Sequence, residues 1–166
     1  MKTGYISFDF ARVISEKGAK HFPHTIPAVY LPKAIETISA VIARRGAEKV
    51  FVISCIRDNK EAEHLLVLLA ETHFHIRTGF LPENILLCSQ RDEKVKLCQE
   101  LSIATHVDDR LQVLGPMVGV VPNLFHFQPR QEEIQKSIND PYRKHLEGRY
   151  ITPVHSWDHL AGHVLA

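Results

Sequence analysis

Asp9, Ser54, Lys94, Asp108 and Asp109 are the residues whose types and positions could do chemistry together. Asp9 closes the β-rich run YISFDF, Ser54 ends the apolar run VFVI, and the acidic pair ends the run THV. Lys94 lies in DEKVKLCQEL, ahead of the acidic pair. A carboxylate can attack phosphorus and form an aspartyl phosphate. A divalent cation held by carboxylates offsets the repulsion between such a nucleophile and an anionic substrate. A hydroxyl and an ammonium can hold the equatorial phosphoryl oxygens as charge redistributes.

Such groups act together only if the fold gathers them. Tyr5 to Phe10, Val50 to Ile53, Ile85 to Cys88, Thr105 to Val107 and Leu124 to Phe127 read as strands. LPKAIETISAVIARRG, opening at Pro32, places Ala34, Ile35, Ile38, Val41 and Ile42 at helical spacing, with Gly46 after the end. EAEHLLVLLAE, within Lys60 to Glu71, is a strongly amphipathic helix, and helical periodicity returns from Asp92. Gln131 to Ile138 reads as a polar helix, and HSWDHLAGHVLA as a terminal helix with Ser156 as N-cap and Trp157 packing it down. Strand alternating with helix predicts an α/β fold, a three-layer sandwich with a mostly parallel central sheet. Ligands in such folds sit beyond the carboxyl ends of the strands, which puts Asp9, Ser54 and Asp108 along one edge. The whole chain, 1–166, reads as a single domain, with a Pro- and His-containing loop between Ala11 and Leu31.

The order of these motifs resembles the haloacid-dehalogenase-like superfamily. Its first motif is a strand followed by Asp-x-Asp-Gly-(Val/Thr), which ISFDFARVIS matches at Asp9, Val13 and Ile14. VFVIS matches the second motif at Ser54, and THVDDR matches the fourth at Asp108 and Asp109. Lys94 matches the third, preferred over Lys96 by its spacing to the acidic pair. The resemblance covers about Tyr5 to Gln128. It implies a Mg²⁺-dependent phosphohydrolase-type protein in which Asp9 is both nucleophile and metal ligand. Asp108 would be a metal ligand, Asp109 an adjacent or alternative one, and the Ala11 carbonyl would complete the shell. Ser54 and Lys94 would bind the phosphoryl group, with Cys55 and Arg12 beside the substrate. No inserted cap is visible after Asp9 or Ser54, and capless relatives act on large substrates or have a neighbouring subunit cover the site. A phosphorylated partner, small or macromolecular, and a homo-oligomer are the corresponding expectations.

Two departures bear on activity. Ala11 stands where phosphatases of this family carry their acid/base Asp, and losing such a group costs about 10²–10⁴-fold in rate. Arg12 replaces the usual Gly with a charged fork that can bind a substrate anion, pair with Asp9 or Asp109, or face solvent. A catalytically inactive phosphate- or phosphoprotein-binding domain is therefore the competing expectation. Phosphonate-cleaving relatives with Ala here rely on a cap lysine, which this chain lacks. A receiver domain places its acidic pair after the first strand and its Lys last, the reverse of the order here.

The remaining composition narrows the field. Twenty basic and 19 acidic residues leave a formal charge of +1, no footprint for nucleic acid or an anionic membrane. No run approaches a membrane span, and neither a phosphate-binding P-loop nor a dinucleotide fingerprint occurs. Cys55, Cys88 and Cys98 form no CxxC clip, so a reducing cytoplasm is the expected compartment, and Cys55 has a plainer reading as buried filler. His155, His159 and His163 recur every four residues without a Cys or carboxylate pair to complete a zinc set. His21 and His24, in the loop after Asp9, are candidate substitutes for the missing acid/base, their plainer reading being surface loop residues.

Overall fold

The computed structural model describes residues 4–17, 30–136, 140 and 150–166. Six strands form one all-parallel sheet: β1 (Tyr5–Phe8), β2 (Val50–Cys55), β3 (Ile85–Cys88), β4 (Ile103–Asp108), β5 (Asn123–Phe127) and β6 (Ile151–Val154). Their order across the sheet is β3-β2-β1-β4-β5-β6. The helices are α1 (Ala34–Arg45), α2 (Asn59–Glu71), α3 (Phe74–Thr78), α4 (Arg91–Glu100), α5 (Leu111–Met117), α6 (Gln131–Lys136) and α7 (Trp157–Val164).

Alternation along the strands separates two cores. Ile6, Phe8, Val50 and Val52 point to one face, under Ile38 and Val41 of α1, Leu65 and Leu69 of α2, and Trp157 and Leu160 of α7. Phe51, Ile53, Ile103 and Leu124 point to the other, under Cys98 of α4 and Leu111, Leu114 and Met117 of α5. The result is the three-layer sandwich expected from the sequence, its strands buried on both faces as an all-parallel sheet requires.

The helix termini follow local chemistry. Asp58 caps α2 by accepting from Glu61 N at 2.8 Å, and Ser156 caps α7 by accepting from His159 N at 3.1 Å. Gly46 ends α1 at φ 95°, a left-handed value that costs a glycine nothing. α1 begins two residues after Pro32, because Lys33 takes φ 68° and does not join the helix. β1 stops at Phe8 rather than Phe10: Asp9 N still reaches Val107 O at 2.9 Å, but Ile14 N and Ser15 N then close a turn on Phe10 O. Three elements lie outside the expected set, the first being the short α3, five residues between the left-handed residues His73 and Gly79. α5 contains Gly115 and Pro116, which obscure its helical pattern, and β6 contains Pro153. A proline lacks the amide donor of a central strand, and β6 is the sheet edge, where that loss is tolerated.

Between Ser54 and Lys94 the chain passes only through α2, α3 and β3, with no inserted domain. No helix among the described residues is long and apolar enough to cross a membrane.

Candidate functional site

Strand order reverses direction between β1 and β4: the chain moves outward from β1 through β2 to β3, then returns to lay β4 on the opposite side of β1. Such a switch point leaves a crevice at the carboxyl ends of the two strands. Asp9 follows β1, Asp108 ends β4 and Asp109 follows it, so all three carboxylates meet there. One oxygen from each lies within 4.8 Å of the others. All three are buried, at 7%, 0% and 4% exposure, which strengthens every charge interaction among them.

Lys94 is the counter-charge. Its ammonium, 2% exposed on α4, donates to Asp9 Oδ1 and Asp108 Oδ2, each at 2.8 Å. Lys96, two positions on, is exposed at the surface, so Lys94 is the lysine that the helix turns inward. Burial opposes a charged Lys94, yet Asp108 and Asp9 outweigh it and hold the ammonium protonated well above its ordinary value. Burial likewise resists ionisation of Asp108, but Lys94 and His106 prevail and depress its pKa. For Asp9 the balance tips the other way: burial, with Asp108 adding repulsion, exceeds the help from Lys94 and raises the carboxyl. Asp109 is raised to about 7, by burial and then by the charges of Asp108 and Asp9.

The contacts divide the labour among the three acids. Asp108 Oδ2 receives Lys94, and its Oδ1 accepts from Arg110 N at 2.9 Å. Asp109 Oδ2 accepts from Arg130 Nη2 at 3.2 Å. Asp9 Oδ2 and Asp109 Oδ1 have no hydrogen-bond partner among the described residues. A cavity of about 680 Å³ opens over them, lined by Asp9, Asp109, Ala11, Arg12, Ser54 and Lys94 among others. Asp108 stands behind that wall, so Asp109 presents itself to the cavity more directly than the sequence order suggested. The donor set is entirely oxygen and carries three carboxylates, which suits a hard cation such as Mg²⁺.

Each expected site residue has a definite place. Ser54, 5% exposed, lies at the end of β2 beside β1. Cys55 is half-buried on the cavity wall, its sulfur 3.1 Å from that of Cys88. Ala11 and Arg12 form the apex of the turn closed on Phe10 O. Arg12 is exposed at φ 61° and lines both the main cavity and a neighbouring one of about 230 Å³. Among the described residues the cation that pairs with Asp109 is Arg130, not Arg12. His21 and His24 lie outside the described residues. His155, just before α7, stacks on His159 with ring centroids 5.9 Å apart, and His159 lies tilted against His163 at 5.4 Å. Among the described residues only Asp9, Asp108 and Asp109 are grouped closely enough that they could hold a metal ion.

Two contributors, His106 and Arg130, are not singled out by sequence, and Trp157 does more than pack the terminal helix. His106, fully buried, sits between Ser7 Oγ at 2.7 Å and Asp108 Oδ2 at 3.4 Å. Period-two alternation puts Ser7 under Asp9 and His106 under Asp108, and Ser7 pairs with His106 across the β1–β4 ladder. That spacing was the available signal. Arg130, just after β5, reaches the site from a third strand end. Trp157 acts from below: its indole N–H donates to Val13 O at 2.7 Å, tying α7 to the turn that carries Ala11 and Arg12.

No protein-family model matches this chain, and no curated protein matches it.

Proposed function

We propose that this chain carries a Mg²⁺-dependent phosphoryl site of the haloacid-dehalogenase-like kind, with Asp9 as the attacking carboxylate. The observation that carries this reading is the convergence of Asp9, Asp108 and Asp109 within 4.8 Å at the β1–β4 switch point, with Asp9 and Asp109 lining the cavity. Asp9 and Asp109, with Asp108 and the Ala11 carbonyl, would hold the cation. When bound, it supplies positive charge between the carboxylate nucleophile and an anionic phosphoryl group.

Lys94 holds Asp9 Oδ1 and so leaves Oδ2 as the oxygen available to attack. Ser54 offers a hydroxyl from the adjoining strand end for a phosphoryl oxygen, and Arg12 offers a guanidinium from the opposite wall. Cys55 completes the substrate wall beside Ser54. The step that this set handles well is attack on phosphorus. Protonation of the leaving group and activation of water fall to the position of Ala11, whose methyl can do neither. Substrates with good leaving groups, aryl or acyl phosphates, suit the site best. A reducing cytoplasm suits its three free thiols.

Ala11 on the cavity wall also favours a second reading, a domain that binds a phosphorylated ligand without turning it over. The test is Mg²⁺-dependent phosphate release from an activated aryl phosphate by wild type, Asp9→Asn and Ala11→Asp. Turnover by wild type that Asp9→Asn abolishes supports the enzyme. Activity appearing only in Ala11→Asp supports the binding domain. Silence from all three sinks the phosphoryl reading.

A further inference from the structure

Cys55 and Cys88 are paired in register at the carboxyl ends of β2 and β3. Neighbouring strands lie about 4.8 Å apart, inside the roughly 4.4–6.8 Å between Cα atoms that a disulfide spans. The two sulfurs are already 3.1 Å apart, and both thiols are free. Cys55 is half-buried and lines the cavity, so a small reactant can reach it. Cys88 is 5% exposed and lies behind it. We infer that Cys55 and Cys88 form an oxidant-modification site on the cavity wall, at which a hydroperoxide converts the dithiol to an intramolecular disulfide.

The two sulfurs have unequal roles. The hydrogen bond from Cys88 lowers the Cys55 thiol below its ordinary value despite burial, with Lys94 adding a smaller pull. Cys88 is raised, first by that same hydrogen bond and then by burial. The thiolate is the nucleophile in such chemistry, so Cys55 attacks first. Its sulfur takes one peroxide oxygen, the O–O bond breaks, and the other oxygen leaves with a proton as water or alcohol. Cys55 is now a sulfenic acid, two electrons more oxidised. Cys88 sulfur attacks it, the S–O bond breaks, and water departs with the Cys88 proton. The dithiol and one hydroperoxide thus give a disulfide, one alcohol or water, and one further water. An external thiol reverses the step by exchange.

The third cysteine is a built-in control. Cys98, on the core-facing side of α4, is 1% exposed, and burial lifts its thiol to about 11. It should not react. The new bond would fasten the end of β2, beside Ser54, to the end of β3, which leads into the cavity-lining segment Ser89–Arg91. Neither thiol needs a metal or a phosphoryl ligand for this.

The test exposes the full chain to hydrogen peroxide, alkylates it after unfolding, and maps the thiols by mass spectrometry. Two of the three thiols should disappear, a Cys55–Cys88 linked peptide should appear, and dithiothreitol should restore both. Cys88→Ser should stop at a Cys55 sulfenic acid that dimedone traps, and Cys55→Ser should leave Cys88 alkylatable. Three intact thiols in oxidised wild type, a disulfide between two chains, or Cys55 sulfinic acid beside a free Cys88 would each overturn the assignment. The wild-type map decides the matter even if a variant fails to fold.

Discussion

Replacing Asp109 by Asn should make the metal-free protein more stable near pH 8 while loosening its hold on Mg²⁺. Asp109 is 4% exposed, and its oxygen lies within 4.8 Å of those of Asp9 and Asp108. Burial and then these neighbours move its carboxyl from 3.8 to about 7, with Arg110 and Lys94 opposing only in part. The sign follows from proton binding. Below about pH 4 both folded and unfolded chains keep this proton, and Asp109 costs nothing. Between about pH 4 and 7 the unfolded chain loses it while the native one holds it, so stability falls as pH rises. Above about pH 7 the native protein carries the full cost. At about 1.36 kcal/mol per pH unit, that interval is worth on the order of 4 kcal/mol.

Asn keeps the shape and can still accept from Arg130 Nη2, but loses the charge assistance of that bond, roughly 1 kcal/mol. A net gain of about 1–3 kcal/mol near pH 8, vanishing near pH 4, is expected in EDTA. His126 runs the other way: burial lowers its pKa, so its contribution is lost as pH falls through the range just below its ordinary value. Subtracting the variant from the wild type removes that background. Urea unfolding followed by the single, buried Trp157 measures both proteins at each pH. Mg²⁺ at about 100 times its Kd should then stabilise wild type by about 2.7 kcal/mol and the variant by much less. A variant that is less stable than wild type in EDTA near pH 8 would refute the electrostatic reasoning. Equal Mg²⁺ stabilisation of the two would remove Asp109 from the metal site.

Lys94→Met leaves Asp9 and Asp108 buried without their ammonium and should cost about 3–5 kcal/mol near pH 8. Urea midpoints should show part of that loss recovered by Mg²⁺; no loss would mean that the ion pair does not stabilise the native state. Arg12→Gly exchanges a strained left-handed residue for the one that favours φ 61°, so stability should hold or rise by up to about 1 kcal/mol. Inorganic phosphate should bind that variant more weakly by calorimetry, and unchanged affinity would show that Arg12 faces solvent in function as well as in structure.

The fold was legible where apolar periodicity was uninterrupted. β3, α2 and the Ser156 cap carry their own local signals, and the structure reproduces them to within a residue or so. α5 and β6 were not legible because Pro116 and Pro153 break the patterns, and their placement depends on the core at one and the sheet edge at the other. In the site, the strand-end acids could be read because a polar residue after an apolar strand falls at the carboxyl edge of a parallel sheet. The exposure of Asp109 relative to Asp108 could not, because it depends on Lys94 and the Arg110 amide occupying Asp108. Ser7 and His106 look like ordinary strand residues in sequence. They become a buried polar pair only once β1 and β4 are placed side by side.

The turn after Asp9 holds its geometry independently of the residue at its apex. Phe10, Val13 and Ile14 are buried, and three amides close on Phe10 O, so apolar anchors hold the turn on both sides of Ala11 and Arg12. Trp157 adds a hydrogen bond from beneath, and its ring packs on Phe8 at 5.3 Å and Phe127 at 5.7 Å. Arg12 then accepts φ 61°, a conformation costing a non-glycine residue on the order of 1–2 kcal/mol, because the surrounding contacts over-determine it. A turn held this firmly does not depend on the residue at its apex. Ala11→Asp should therefore place a carboxyl on the cavity wall beside Asp9 without rebuilding the backbone. Its activity consequently reports on chemistry rather than on folding, and the comparison with wild type tests whether a proton-transfer group at position 11 turns the proposed binding site into a catalyst.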